Sequence, residues 1–196
     1  ICSILTGSAC MAERHSALVT GYTRGPHGKP GEPGVRLQEI KGLVLHQVAA
    51  WPQTVTQVGD QLAQVIGCTS APQPGHSATG AYGIALRIEP LKWWLLNAEP
   101  PQLSVDSGAT LDLSHSRTHI RISGPEASTC LNRFIPIDLR ESHFTDGQVA
   151  SSGFHHVGVT LWRSPTGFNL FVPRGFALSL WEMLRETAEQ FGLDIS

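Results

Sequence analysis

His115 and His119 stand four residues apart, the spacing at which two histidines on one helix face can share a zinc ion. The local pattern, however, reads as a turn entering a strand. There a four-residue step carries the second ring about 13 Å along the chain. Two histidines also leave a zinc shell without its further ligands, so both read as ordinary polar residues. His155 and His156 are adjacent. Within a predicted strand over 154–163 their rings point to opposite faces, one to core or a partner and one to water. The cysteines, at 2, 10, 68 and 130, form no C-x-x-C pair and match no zinc spacing. They read as reduced thiols, with Cys68 and Cys130 buried near predicted helices, and no metal site is expected. Serines are abundant, but none sits in a nucleophile elbow, and no Ser-His-Asp or Cys-His arrangement follows. Gly25, Gly28, Gly31 and Gly34 do not lie between a strand and a helix, the context a nucleotide-binding loop requires. The chain is therefore expected to hold no FAD or NAD of its own. One catalytic candidate remains, Asp138 in the run Phe134-Ile135-Pro136-Ile137-Asp138-Leu139. Its bland role is to cap a turn after a helix.

The elements that would position these residues fall into two cycles. Leu43 to Ala50 is nearly continuously apolar and reads as a buried strand. Trp51-Pro52 stops it, and Pro52 suits the first turn of a helix. Val55, Val58, Leu62 and Val65 make one apolar helix face, which Gly67 ends. Residues 69–80 read as a loop. Strands follow over 82–88 and 92–96, with Glu89-Pro90 at the turn. On the second of these, Trp93 and Trp94 face opposite sides. The sheet is then either covered on both faces within the chain or covered on one face by a partner.

The second cycle opens with a half-buried strand, in which Thr118, Ile120 and Ile122 alternate with His119, Arg121 and Ser123. Ser123-Gly124-Pro125-Glu126 reads as a helix start, with Cys130, Leu131 and Phe134 toward the core. Strands 154–163 and 168–173 flank a turn at 164–167. Ala177, Leu180, Trp181, Leu184, Ala188 and Phe191 then stripe a final helix over 176–191. The cycles match: strand, Pro-initiated helix, two strands. The fold class expected is α+β, two ferredoxin-like β-α-β-β lobes closed by a helix. Residues 1–42 read as an extended N-terminal arm, polyproline-like from residue 11 on and either disordered or laid across a partner, and residues 11–42 are expected to lie extended on a partner chain. Met11 looks like a natural start, which would place residues 1–10 upstream of it. Residues 43–196 form one domain, with lobes at 43–110 and 111–196.

Hydrophobic residues make up 41% of the 196 and charged residues 15%, a surface low in charge that suits a chain packed against other subunits. The net charge of -2 lacks the basic excess of a nucleic-acid binder. No apolar run approaches the ~20 residues of a membrane span. A cytoplasmic location is expected.

Several stretches carry a family resemblance: Leu111 to Thr118, Ile120 to Ala127, Val48-Ala49-Ala50-Trp51-Pro52, Gly31 to Val35, Met11 to Arg14, and Leu170 through Trp181. Together they resemble the gamma subunit of heterotetrameric sarcosine oxidase, a fold relative of the glycine-cleavage aminomethyltransferase (T-protein). The resemblance implies an aminomethyltransferase folate-domain-like fold and alpha, beta and delta partner subunits. It implies oxidation of sarcosine to glycine with hydrogen peroxide and either formaldehyde or methylenetetrahydrofolate. FAD, FMN and NAD would sit on the alpha and beta chains, zinc on delta and tetrahydrofolate on alpha. In the T-protein pattern the place of Asp138 holds an Asn-Asp pair beside folate, and here Ile137 replaces the Asn. The chain itself is then a structural, assembly subunit without catalysis of its own. The rival reading is a free-standing folate-dependent aminomethyltransferase or folate-binding protein. A third is a stand-alone α+β binding domain.

Overall fold

The computed structural model describes residues 15–196. The expectations for Cys2, Cys10, the Met11 start and residues 1–10 lie outside the described residues. Two short strands come first, β1 (Gly25–His27) and β2 (Val35–Ile40), then β3 (Leu45–Ala50). α1 (Val55–Ile66) buries Val58, Leu62 and Ile66 on one side and ends at Gly67 in the left-handed conformation, φ 75°. β4 (Ser77–Thr79), β5 (Ile84–Glu89), β6 (Lys92–Leu96) and β7 (Gly108–Asp112) follow. The second cycle holds β8 (Arg117–Ser123), α2 (Ala127–Leu131), β9 (Val149–Phe154), β10 (Val157–Ser164) and β11 (Gly167–Pro173). α3 (Ala177–Glu189) and β12 (Leu193–Ile195) close the series.

The strands form two sheets, ordered β4-β5-β6-β3-β7 and β1-β12-β2-β8-β11-β10-β9. Their ladders are antiparallel except β12 against β2. The sheets stack face to face, with α1 outside the first and α2 and α3 outside the second. β6 shows why. Its period of two sends Trp93 and Leu95 under α1, with Val58, Leu62 and Ile66. Trp94 and Leu96 go the other way, to meet Phe171 and Trp162 of the facing sheet. Both tryptophans are therefore covered within the chain, at 1% and 4% exposure, and neither needs a partner. The α3 stripe packs as expected, with Ala177, Leu180, Trp181, Leu184 and Ala188 buried. No helix among the described residues is long and apolar enough to cross a membrane.

Three sequence expectations need correction. First, each helix is followed by three strands, not two: the sheet orders β4-β5-β6-β3 and β9-β10-β11-β8 repeat one β-α-β-β-β unit. A split β-α-β arrangement needs the strands before and after the helix to run parallel. The alternating antiparallel ladders here turn them opposite, so the lobes are not ferredoxin-like. The overlooked β4 and β9 lie in Ser- and Gly-bearing segments that imitate loops. Second, residues 15–42 are not an arm laid on another chain. β2 lies inside the seven-stranded sheet between β12 and β8, and Leu18, Val35 and Leu37 are 0% exposed. The Gly-Pro run ends at Gly34, and Val35, Leu37 and Glu39 beyond it alternate with Arg36, Gln38 and Ile40 as a strand should. Third, the Ser123-Gly124-Pro125-Glu126 start yields only the short α2 and no side-chain cap; the Glu126 N–H instead donates to the Gly34 carbonyl at 2.9 Å. Gly124, at φ +108°, makes that approach possible, because a Cβ there would lie 2.4 Å from the Gly34 oxygen.

Candidate functional site

Asp138 lies on the turn after α2, between the buried Ile135 and Leu139. Its Oδ1 accepts the backbone N–H of Arg140 at 3.1 Å, closing a tight Asx-type turn. The Arg140 Nε donates to Oδ1 and Oδ2 at 2.9 and 3.1 Å, and Nη2 donates to Oδ2. His143 Nδ1 stands 3.4 Å from Oδ2. These Arg140 bonds hold the carboxyl well below the usual carboxylate range. A carboxylate so engaged is a poor proton acceptor near neutral pH. Ile137 packs against the core. The geometry is that of a turn cap.

The histidines are not brought together. His115 is exposed on the turn before β8, whereas His119 is within β8 and 5% exposed. The expectation of a half-buried strand therefore fails at His119, because the five-stranded sheet covers the face read as polar. His155 and His156 are not strand residues. Phe154 and Val157 form the last rung of the β9–β10 ladder, so the two histidines are the exposed hairpin turn between them, with His155 at φ +51°. Phe134 stacks on Phe154 at 4.5 Å beneath this turn. Cys130 is buried, and its burial pushes the thiol up to about 11. Cys68 is only half-buried, its Sγ toward the Ser70 carbonyl at 3.0 Å. Among the described residues no three His, Cys, Asp or Glu side chains are placed to hold a metal.

The structure assembles a different polar group between the sheets. His119 Nε2 donates to Asn169 Oδ1 at 2.9 Å, and Asn169 Nδ2 donates to Ser164 Oγ at 2.9 Å. The imidazole stacks on Phe171 at 4.5 Å, and Phe171 meets Trp94 edge-on at 5.8 Å. Burial pulls the His119 pKa down to about 4, so the ring is neutral at neutral pH. The guanidinium of Arg117 lies over Trp94, 5.7 Å from its centroid. Where β2 ends, β8 begins and β11 ends, a cleft of ≈ 280 Å³ opens, lined among others by His15, Ser16, Glu39, Lys41, Arg117 and Arg174. Sequence reading singled out none of these cleft residues. They are scattered along the chain and only the sheet order makes them neighbours.

No protein-family model matches the chain. It is 27% identical over 143 residues to sarcosine oxidase subunit gamma of Corynebacterium sp. (strain U-96), covering 68% of this chain and 69% of that one. To the subunit of the same name from Arthrobacter sp. it is 27% identical over 169 residues, 82% of this chain and 78% of that one. The chain resembles sarcosine oxidase gamma subunits. In fold it matches a chain of the heterotetrameric sarcosine oxidase from Corynebacterium sp. U-96, solved in complex with pyrrole 2-carboxylate. That match has a TM-score of 0.71 at 23% identity, over 84% of this chain and 88% of that one. The glycine cleavage system aminomethyltransferase T from Bartonella henselae matches with a TM-score of 0.56 at 15% identity, over 83% of this chain and 48% of that one. The likeness to gamma subunits read from the sequence is thus met in the sequence comparisons, and in fold the chain is akin to a chain of a heterotetrameric sarcosine oxidase and to about half of an aminomethyltransferase.

Proposed function

We propose that this chain is the small gamma-type subunit of a heterotetrameric sarcosine oxidase and serves its assembly. The observation that carries the reading is the 27% identity to two gamma subunits over most of the chain. In such a complex sarcosine, oxygen and water give glycine, formaldehyde and hydrogen peroxide; tetrahydrofolate, when present, takes the carbon as methylenetetrahydrofolate. The partners are alpha, beta and delta subunits in the cytoplasm. FAD, FMN and NAD belong to alpha and beta, the folate site to alpha, and zinc to delta. Asp138 belongs to the turn rather than to chemistry, since Arg140 engages both its oxygens.

Co-expression with the three partners tests the proposal. The expected result is a stable complex that yields peroxide from sarcosine, beside an isolated chain that is colourless and inactive. A chain that never joins flavin-bearing partners, or one that purifies alone with flavin and oxidase activity, overturns it. Tetrahydrofolate binding by the isolated chain would favour a folate-dependent aminomethyltransferase-like protein instead, the reading to which the second fold match lends support.

A further inference from the structure

The strand-end cleft carries a charge imbalance that nothing within the described residues corrects. Lys41 follows β2, Arg117 opens β8 and Arg174 follows β11. Because β2 and β11 both run antiparallel to β8, these three ends lie side by side. Among the described residues ion pairs engage Lys92, Arg140, Arg163 and Arg185, but none engages Lys41, Arg117 or Arg174. Glu39 lines the same cleft and would be their natural counter-charge. Its two oxygens instead accept from the Ser16 hydroxyl at 2.6 and 2.7 Å, and among the described residues no cation lies in ion-pair reach.

Among the described residues the two arginines are positioned but little engaged. The Arg174 Nη2 donates to the His15 carbonyl, and its backbone N–H ties β11 to the Ser116 carbonyl at 2.9 Å. Arg117 is half-buried, with one long bond of 3.3 Å to that same carbonyl and Trp94 beneath it. Each guanidinium has five N–H donors, and most of these have no partner among the described residues, leaving them to a ligand. Burial lowers the pKa of Arg117, the mark of a cation desolvated without a counter-charge. Cations held together without partners oppose folding, and such conflicts concentrate where a ligand resolves them. With Lys41, Arg117 and Arg174 against Glu39, the fixed charge excluding histidines is 3 − 1 = +2. At ≈ 280 Å³ the space lies just under the ~300 Å³ at which pockets for drug-sized ligands begin, which suits a smaller molecule.

We infer that this cleft is a binding site for a small organic dicarboxylate, gripped by Arg117 and Arg174 with Lys41 at the rim. Planar guanidinium groups suit carboxylates through paired parallel N–H···O bonds. The inference does not rest on membership of an oxidase complex, and its test needs only the full chain.

Succinate is titrated into the chain at low ionic strength by calorimetry, with acetate, succinamide and sulfate as comparators. Saturable one-to-one binding of succinate is expected, at least ten-fold tighter than any comparator. Arg117→Met and Arg174→Met should each weaken it ten-fold or more, and Glu39→Gln should tighten it several-fold. A second measurement avoids variants altogether: succinate should slow phenylglyoxal modification of Arg117 and Arg174, but not of Arg24, as read by mass spectrometry. No saturable binding, sulfate binding as tightly as succinate, or unchanged modification of both arginines would each overturn the inference.

Discussion

Lowering the pH from about 7.5 to about 4.5 should destabilise the fold through one side chain, His119. Its imidazole is buried between the sheets at the inner wall of the strand-end cleft, and burial, with a smaller contribution from nearby Arg121, depresses its pKa from 6.5 to about 4 against the opposing bond to Asn169. The unfolded chain therefore takes up a proton as the pH falls through about 6.5, whereas the folded chain resists until about 4. Stability drains away between those values and is fully lost below the lower one. The whole effect is about 3 kcal/mol, of which about 2.5 kcal/mol is gone by about pH 4.5. Asp112 and Asp138 act in another window. Their pKa values are lowered, by bonds from Ser114 and Arg140 respectively, so their contributions fade only below the ordinary carboxylate range. Urea denaturation of the parent and His119→Gln at both pH values isolates the effect, because all other titrations are shared. The parent should lose about 2 to 3 kcal/mol more than the variant across the interval. Losses equal within about 0.5 kcal/mol would refute the reasoning and place the ring in contact with water.

Leu37→Ala should cost about 2–5 kcal/mol in urea denaturation of the whole domain, because Leu37 is fully buried in β2; a detachable arm would show almost no change. Gly124→Ala should lower the melting temperature by several degrees, since its Cβ would press on the Gly34 carbonyl at a φ unfavourable to alanine. Unchanged melting would mean the strand-to-helix link yields freely. Asp138→Asn should leave turnover of the assembled oxidase nearly unchanged. A ten-fold loss, about 1.4 kcal/mol at the transition state, with assembly intact would make Asp138 a working carboxylate.

Elements whose pattern is set by one covering layer were legible. The α3 stripe announces itself because one face meets the sheet and the other meets water. Trp93 and Trp94 told by their adjacency that both faces of β6 are apolar, though not what covers them. β2 was hidden by its neighbours, since the Gly-Pro turns before Val35 drew the whole stretch into one extended reading. β4 and β9 were lost because Ser and Gly carry no apolar alternation. His119 and Arg121 looked solvent-facing in β8, and only the second sheet reveals otherwise. The turn role of Asp138 could be read from local chemistry. The cationic cleft could not, because Lys41, Arg117 and Arg174 meet through tertiary pairing alone.

The position of β12 sets the order in which this chain can be finished as it leaves the ribosome. The five-stranded sheet is contiguous, from Leu45 to Asp112, and can close while later residues are still being made. The other sheet cannot. Gly25–His27 finds its neighbour only at Leu193–Ile195, and the outer edge of β2 stays bare until the same three residues arrive. Pairings so distant in sequence are slow to form, and a bare strand edge meanwhile invites other chains. Nascent or truncated chains that stop short of Leu193 are thus the species most in need of a chaperone, although every residue of β1 and β2 was made before the five-stranded sheet began.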